Sequence, residues 1–170
     1  MFSRALLPIL AALAAMIVPA EVSAAPATQN ATAEAAILSP LSVIKRADLD
    51  FGTLVVSGAG SAVIDPVTSS LSTTGGLVPS GSSAHPARFT ATGSKNAVAL
   101  IRLPKNPAVL TRVGGTETVT VSDWTVDGNI LRKIPVTDTF DFYVGGTLDV
   151  AAGQVPGTYA GTFSITVQYP

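Results

Sequence analysis

The stretch PGTYAGTFSITVQYP, residues 156–170, decides the reading of the fold. From Tyr159 to Tyr169 the odd positions Tyr159, Phe163, Ile165, Val167 and Tyr169 are large and apolar, Gly161 alone excepted, while the even positions are small or polar. Strict period two describes a half-buried β-strand whose register is set, because a slip of one residue would exchange its two faces. An apolar strand placed last either pairs on both flanks within its own sheet or leaves one flank open to another chain.

Outward from this strand the chain repeats the same grammar. Glu117–Trp124 alternates Val119 and Val121 with Thr118 and Thr120, and Gly114-Gly115 turns it back on Ala108–Val113 as a hairpin. Ala87–Ala91 and Ala97–Leu103 read as a second strand pair across Thr92–Asn96, and Phe140–Val144 as a strand ended by Gly145-Gly146, with a short segment at Thr147–Val150. Ala62–Ile64, ended by Asp65-Pro66, and Gly76–Val78 add short strands, and Leu41, Val43, Leu49 and Phe51 mark apolar positions around a charged break at Lys45-Arg46. No long stretch has helical period. Seven or more short strands at roughly ten-residue spacing predict an all-β, immunoglobulin-like Greek-key β-sandwich over residues 40–170.

At the other end, Arg4, the apolar run Ala5–Ala20 and the small residues Val22-Ser23-Ala24 read as a secretory signal peptide over residues 1–24. Residues 25–39 then form an N-terminal extension in which Ala31, Ala33, Ala35 and Ile37 alternate with Asn30, Thr32 and Glu34 before Pro40. The segment reads equally as a strand donated to a neighbour or as the domain's own first strand. The expected location is therefore outside the cytoplasm, in the periplasm in transit and then at the cell surface or secreted, with no stable membrane insertion after cleavage.

Composition narrows the function classes. Charged residues are 12% of the chain and the formal net charge is −1, so there is no basic footprint for nucleic acid. With no cysteine, the exported fold relies on packing and β hydrogen bonds. The single histidine, His85, lies beside Pro86 in a loop, and neither a nucleophile elbow nor a phosphate-binding glycine loop is present. Asp48 and Asp50 open like a calcium loop but lack the later ligands, and strand alternation points both carboxylates to water. The expectation is a protein that is not an enzyme, with no catalytic residue, cofactor or metal. Trp124 and nearby tyrosines offer an alternative, a monomeric secreted module binding carbohydrate or a surface partner.

Three motifs carry a resemblance. DLDFG (residues 48–52), FYVGGTL (142–148) and PGTYAGTFSITVQYP together resemble a family of secreted bacterial proteins known only as a domain of unknown function. Gly157, fourteenth from the end, and the penultimate Tyr169 resemble the C-terminal signature of pilus subunits assembled by the chaperone/usher route, and NATAEAAILSP resembles the donor strand of the alternative class of such pilins. The resemblance implies a sandwich whose last-strand position is incomplete. A periplasmic chaperone would fill it first, an outer-membrane usher would follow, and a neighbouring subunit's extension would replace the chaperone in a fibrous homopolymer. Carried over, Phe163, Ile165, Val167 and Tyr169, with Gly157 leading in, line the acceptor groove, and Ala31, Ala33, Ala35 and Ile37 insert.

Overall fold

The computed structural model describes Gln29, residues 31–81 and residues 83–170; the expected signal peptide lies outside the described residues. Ala36–Pro170 forms one unit. Among the described residues there is no helix, and the strands are antiparallel throughout.

The longest strand organises the rest. β11, Thr139–Val150, buries Phe142, Val144, Leu148 and Val150 at even positions, and its length lets it serve several partners. One flank pairs first with β6 (Ala87–Thr92) and then with β3 (Gly60–Asp65), while the other pairs with β9 (Thr118–Val126). β1 (Ser42–Ala47) extends the sheet beyond β6, β4 (Ser70–Thr73) pairs with β3, and β8 (Ala108–Arg112) and β12 (Tyr159–Ala160) continue beyond β9. A second sheet holds β10 (Leu131–Lys133), β7 (Val98–Arg102) and β13 (Thr166–Gln168) in that order, and β2 (Leu54–Val56) pairs with β5 (Leu77–Pro79).

The sandwich is visible in its core. Ala87, Phe89 and Ala91 of β6 and Phe142 and Val144 of β11 share one buried cluster with Ile101 of β7, so the two sheets close on each other there. Phe89 and Phe142 stack at 5.4 Å between ring centroids. A second cluster joins Ala62 and Ile64 of β3, Val119 and Val121 of β9, and Leu148 and Val150 of β11 with Phe51 and Leu77.

The hairpin of β8 and β9 forms as its alternation and glycines require, with Leu110 opposite Val119 and Gly114 at φ +76°. Three expectations are corrected. β6 and β7 are both strands but not partners: both flanks of β6 are taken by β1 and β11, so the link through Gly93–Asn96 carries the chain to the facing sheet. Gly145-Gly146 does not end a strand, because β11 runs through it; a Cβ on Gly145 would lie 2.1 Å from the Ile64 carbonyl oxygen, so the glycine is there for close backbone approach. The final strand is not continuous. Tyr159–Ala160 pairs with β8 and Thr166–Gln168 with β7, so the chain changes sheets between Gly161 and Ile165 while keeping its odd residues inward.

Candidate functional site

Where the chain changes sheets, the sandwich is open. The segment Leu49–Val56 forms one wall of a groove and the segment Gln154–Phe163 the other. The groove has a wide part of about 700 Å³ beside Leu54, Leu148, Val150 and Gln154, and a narrower part of about 430 Å³ beside Phe89, Trp124 and Phe163; Leu49, Phe51, Leu110 and Tyr159 line both.

Backbone pairing shows why the walls stay apart. Leu49–Val56 turns one flank outward to residues 77–85: Asp50 exchanges backbone hydrogen bonds with His85 at 3.0 and 2.8 Å, and β2 pairs with β5. Gln154–Phe163 turns one flank to β8, with the Val113 N–H donating to the Thr158 carbonyl at 2.8 Å. Among the described residues, no backbone partner meets the opposite flank of β2 or of β12. Two edges with unmet donors and acceptors therefore border one apolar trough, which is the geometry that accepts an added strand.

The floor confirms the opening from inside. The core residues away from the groove are sealed, with Ile64, Phe142 and Val144 at 0% exposure, whereas Phe51 and Phe89 keep 8%, Leu148 and Val150 7%, and Val119 6%. The residual exposure of the core is concentrated at the groove. A β-bulge shapes its narrow end: Asp123 and Trp124 of β9 oppose the single Gly146 of β11, with Asp123 at φ +48°, and this shifts the phase so that Trp124 follows Val119 and Val121 inward. Trp124 donates its indole N–H to the Asn106 carbonyl at 3.2 Å and packs on Phe163 at 4.5 Å between centroids. It is a groove wall here, while Tyr143 lies under Arg88 and Tyr169 is bonded to Ser94 and Ser39 elsewhere.

Each candidate residue from the sequence has a definite place. Gly157 and Phe163 line the groove. Ile165 and Val167 pack half-buried on the cluster around Phe142, and Tyr169 anchors the end of the chain. Ala31, Ala33, Ala35 and Ile37 are exposed and outside any strand, with Ile37 at 94%. Leu54, Leu110, Leu148 and Val150 belong to the site as well; sequence reading placed Leu110 in the hairpin and Leu148 and Val150 in a short segment without giving any of them a face, and only the assembled sheets show that they lie inward with their cover missing. His85 is exposed, the Asp50 carboxylate accepts from the Gly52 N–H at 2.7 Å, and Asp48 pairs with Lys45 at 2.5 Å.

Gly157 has a specific constraint. Its φ is +153°, and a Cβ there would lie 2.9 Å from Cδ of Arg112, whose stem covers it. Arg112 is fixed in turn by Glu117, donating from Nε at 2.6 Å and from Nη2 at 3.3 Å. The Arg112 hydrogen bond holds the Glu117 carboxyl down to about 2 from its ordinary 4.5. A carboxyl depressed in the folded state stabilises it fully above its unfolded value and loses that contribution as pH falls through the folded value. Thermal unfolding measured from pH 7 to pH 2 is thus expected to show a midpoint falling between about pH 4.5 and pH 2, with Glu117→Gln flattening that part of the curve; an unchanged curve in the variant would remove the pair from the account.

The family model of a domain of unknown function, DUF4402, matches residues 41–169. The chain belongs to this family. The match covers β1 through β13, so both groove walls lie within the DUF4402 domain, and the extension before Leu41 lies outside it. No curated protein and no solved structure matches the chain.

Proposed function

We propose that this chain is an exported structural subunit of a surface fibre, assembling by insertion of a foreign β-strand into the groove. The observation that carries the reading is the pair of unpartnered backbone edges facing one apolar trough, in a chain that also presents an exposed alternating extension. An inserted strand making about six to eight backbone hydrogen bonds gains roughly 0.5–1.5 kcal/mol net from each. Burying one isoleucine adds about 1.5–3 kcal/mol, so in an extension of small residues with a single large one the backbone ladder carries most of the stabilisation. Before assembly the same trough would be a liability, because an open apolar edge pairs indiscriminately. A periplasmic chaperone that lends a strand and an outer-membrane usher that exchanges it are the partners this reading calls for.

Size-exclusion chromatography of the chain starting at Ala25, with and without residues 25–39, tests it. Concentration-dependent oligomers that vanish on deletion, with unchanged circular dichroism, are the expected result. Monomers in both cases would overturn the reading.

A further inference from the structure

We propose that this chain makes a second contact between copies through its two outer faces: the cationic, apolar face of the sheet of β10, β7 and β13 docks on the acidic face of β3 and β11 in another copy. Strand insertion plays no part in this contact, so the two readings stand or fall separately.

Alternation sets the first face. Ala99 and Ile101 of β7 are buried, so Val98, Leu100 and Arg102 point away from the core. Residues directly opposite in an antiparallel pair share a face, which places Lys133 beside Val98 and Leu131 beside Leu100. Val98 keeps 42% exposure and Leu131 49%, so an apolar strip lies open with a cation at each end. Among the described residues, neither Arg102 nor Lys133 has an acidic partner, and none of the three strands carries an acid.

The second face obeys the same rule on the far side of the sandwich. Ala62 and Ile64 of β3 are buried, so Ser61, Val63 and Asp65 point outward, with Asp149 of β11 opposite Ser61 and Thr147 opposite Val63. Asp65 is held by its own turn, accepting from the Val67 N–H at 2.8 Å and from the Thr68 hydroxyl at 2.9 Å, and these bonds lower its pKa. Asp149 accepts from the Ser122 hydroxyl at 3.3 Å. Neither carboxylate is in an ion pair among the described residues.

Spacing makes the two faces complementary. Lys133 and Arg102 are one strand and four residues apart, and so are Asp149 and Asp65. At about 4.8 Å between strands and about 3.3 Å per residue, both pairs span on the order of 14 Å. One face therefore reads cation, aliphatic, cation, and the other reads carboxylate, aliphatic, carboxylate. Laid on each other with the charges matched, they bring Val63 down on Leu100 and Leu131 in either strand direction. A second copy thus pairs all four charges and covers the open strip, and a formal net charge of −1 leaves little overall repulsion between copies. Because the two patches differ, each copy gives one and receives on the other, a head-to-tail arrangement.

A patch of this span falls well under the roughly 800 Å² per partner of a stable interface. Each contact is short-lived, and dilute copies stay apart. Copies held in a row repeat the contact, and repetition sums weak attractions, so side-by-side fibres are where it acts.

Disulfide trapping reads contacts this brief, and the chain has no cysteine of its own. Full chains carrying Ile37→Asp, which keeps strand insertion out, are prepared with either Leu131→Cys or Val63→Cys, mixed and mildly oxidised. Mixed dimers are expected several-fold in excess of the share that random collision gives. The excess should vanish at about 1 M salt, where the Debye length is about 3 Å, and fall about 3- to 30-fold with Lys133→Glu. Ile44→Cys, at a residue 51% exposed on β1, should give only the random share with Leu131→Cys. A random share from Leu131→Cys and Val63→Cys overturns the contact, and so does an excess that survives both salt and Lys133→Glu. Sedimentation of the chain with anionic-lipid vesicles, lost on Lys133→Glu and without mixed dimers, would give the cationic face to a membrane and overturn it as well.

Discussion

Ile37→Asp is expected to abolish assembly while leaving the domain as stable as before. The side chain is 94% exposed where it stands, so within one subunit it contributes almost nothing to packing and its replacement is a surface change, within about ±0.5 kcal/mol. In the proposed assembly it enters an apolar trough floored by Leu148 and Val150, where a carboxylate finds no partner. The loss combines about 1.5–3 kcal/mol of forgone burial with several kcal/mol for desolvating an unpaired charge. At 1.4 kcal/mol per tenfold, that is three orders of magnitude or more in association. Sedimentation velocity at matched concentrations, alongside a urea melt of the monomer, reads both halves; oligomers surviving in the variant would remove Ile37 from the interface.

Phe142→Ala should have the largest effect on the fold itself. Phe142 is fully buried on β11, stacked on Phe89 and 6.0 Å from the Phe140 ring, with the Arg132 guanidinium 6.0 Å from its own centroid. Removing it leaves a cavity between the two sheets, and such truncations cost about 3–5 kcal/mol. Against a typical total of about 5–15 kcal/mol, that is a large part of the stability of the unit. The urea midpoint should fall steeply with little change in slope, and the thermal midpoint by about 10 °C or more. A loss below about 1 kcal/mol would mean that the sheets collapse onto the gap, contrary to a core held open by β11 and its three neighbours.

Much of this was legible wherever burial follows period two. Val119 and Val121 pointed inward with Thr118 and Thr120 beside them, and the odd residues of Tyr159–Tyr169 kept one face even though the strand breaks. β4 and β10 were not legible. β4 is SLST, with one apolar residue, and β10 is LRK, with Leu131 at 49% exposure, so neither leaves an alternation to read. Gly145-Gly146 misled for the opposite reason: a glycine pair signals a turn locally, but here it lets three strands meet at one point of β11.

The groove divides in the same way. One wall, the C-terminal segment, was readable because it alternates. The other wall, Leu49–Val56, carries its apolar residues past Gly52 without a regular period, and nothing local says that its second flank lacks a partner.

The amino-acid sequence alone determined the all-β class, the main hairpin, the inward face of the last segment and the apolar positions of the extension, because each depends on which side of a strand a residue occupies. Only the tertiary structure decided that the final segment serves two sheets, that β6 and β7 face each other rather than pair, and that two bare edges border one trough. Those depend on which strand takes which flank, and hydrogen bonding between residues far apart in the chain leaves no periodic trace in the order of the residues.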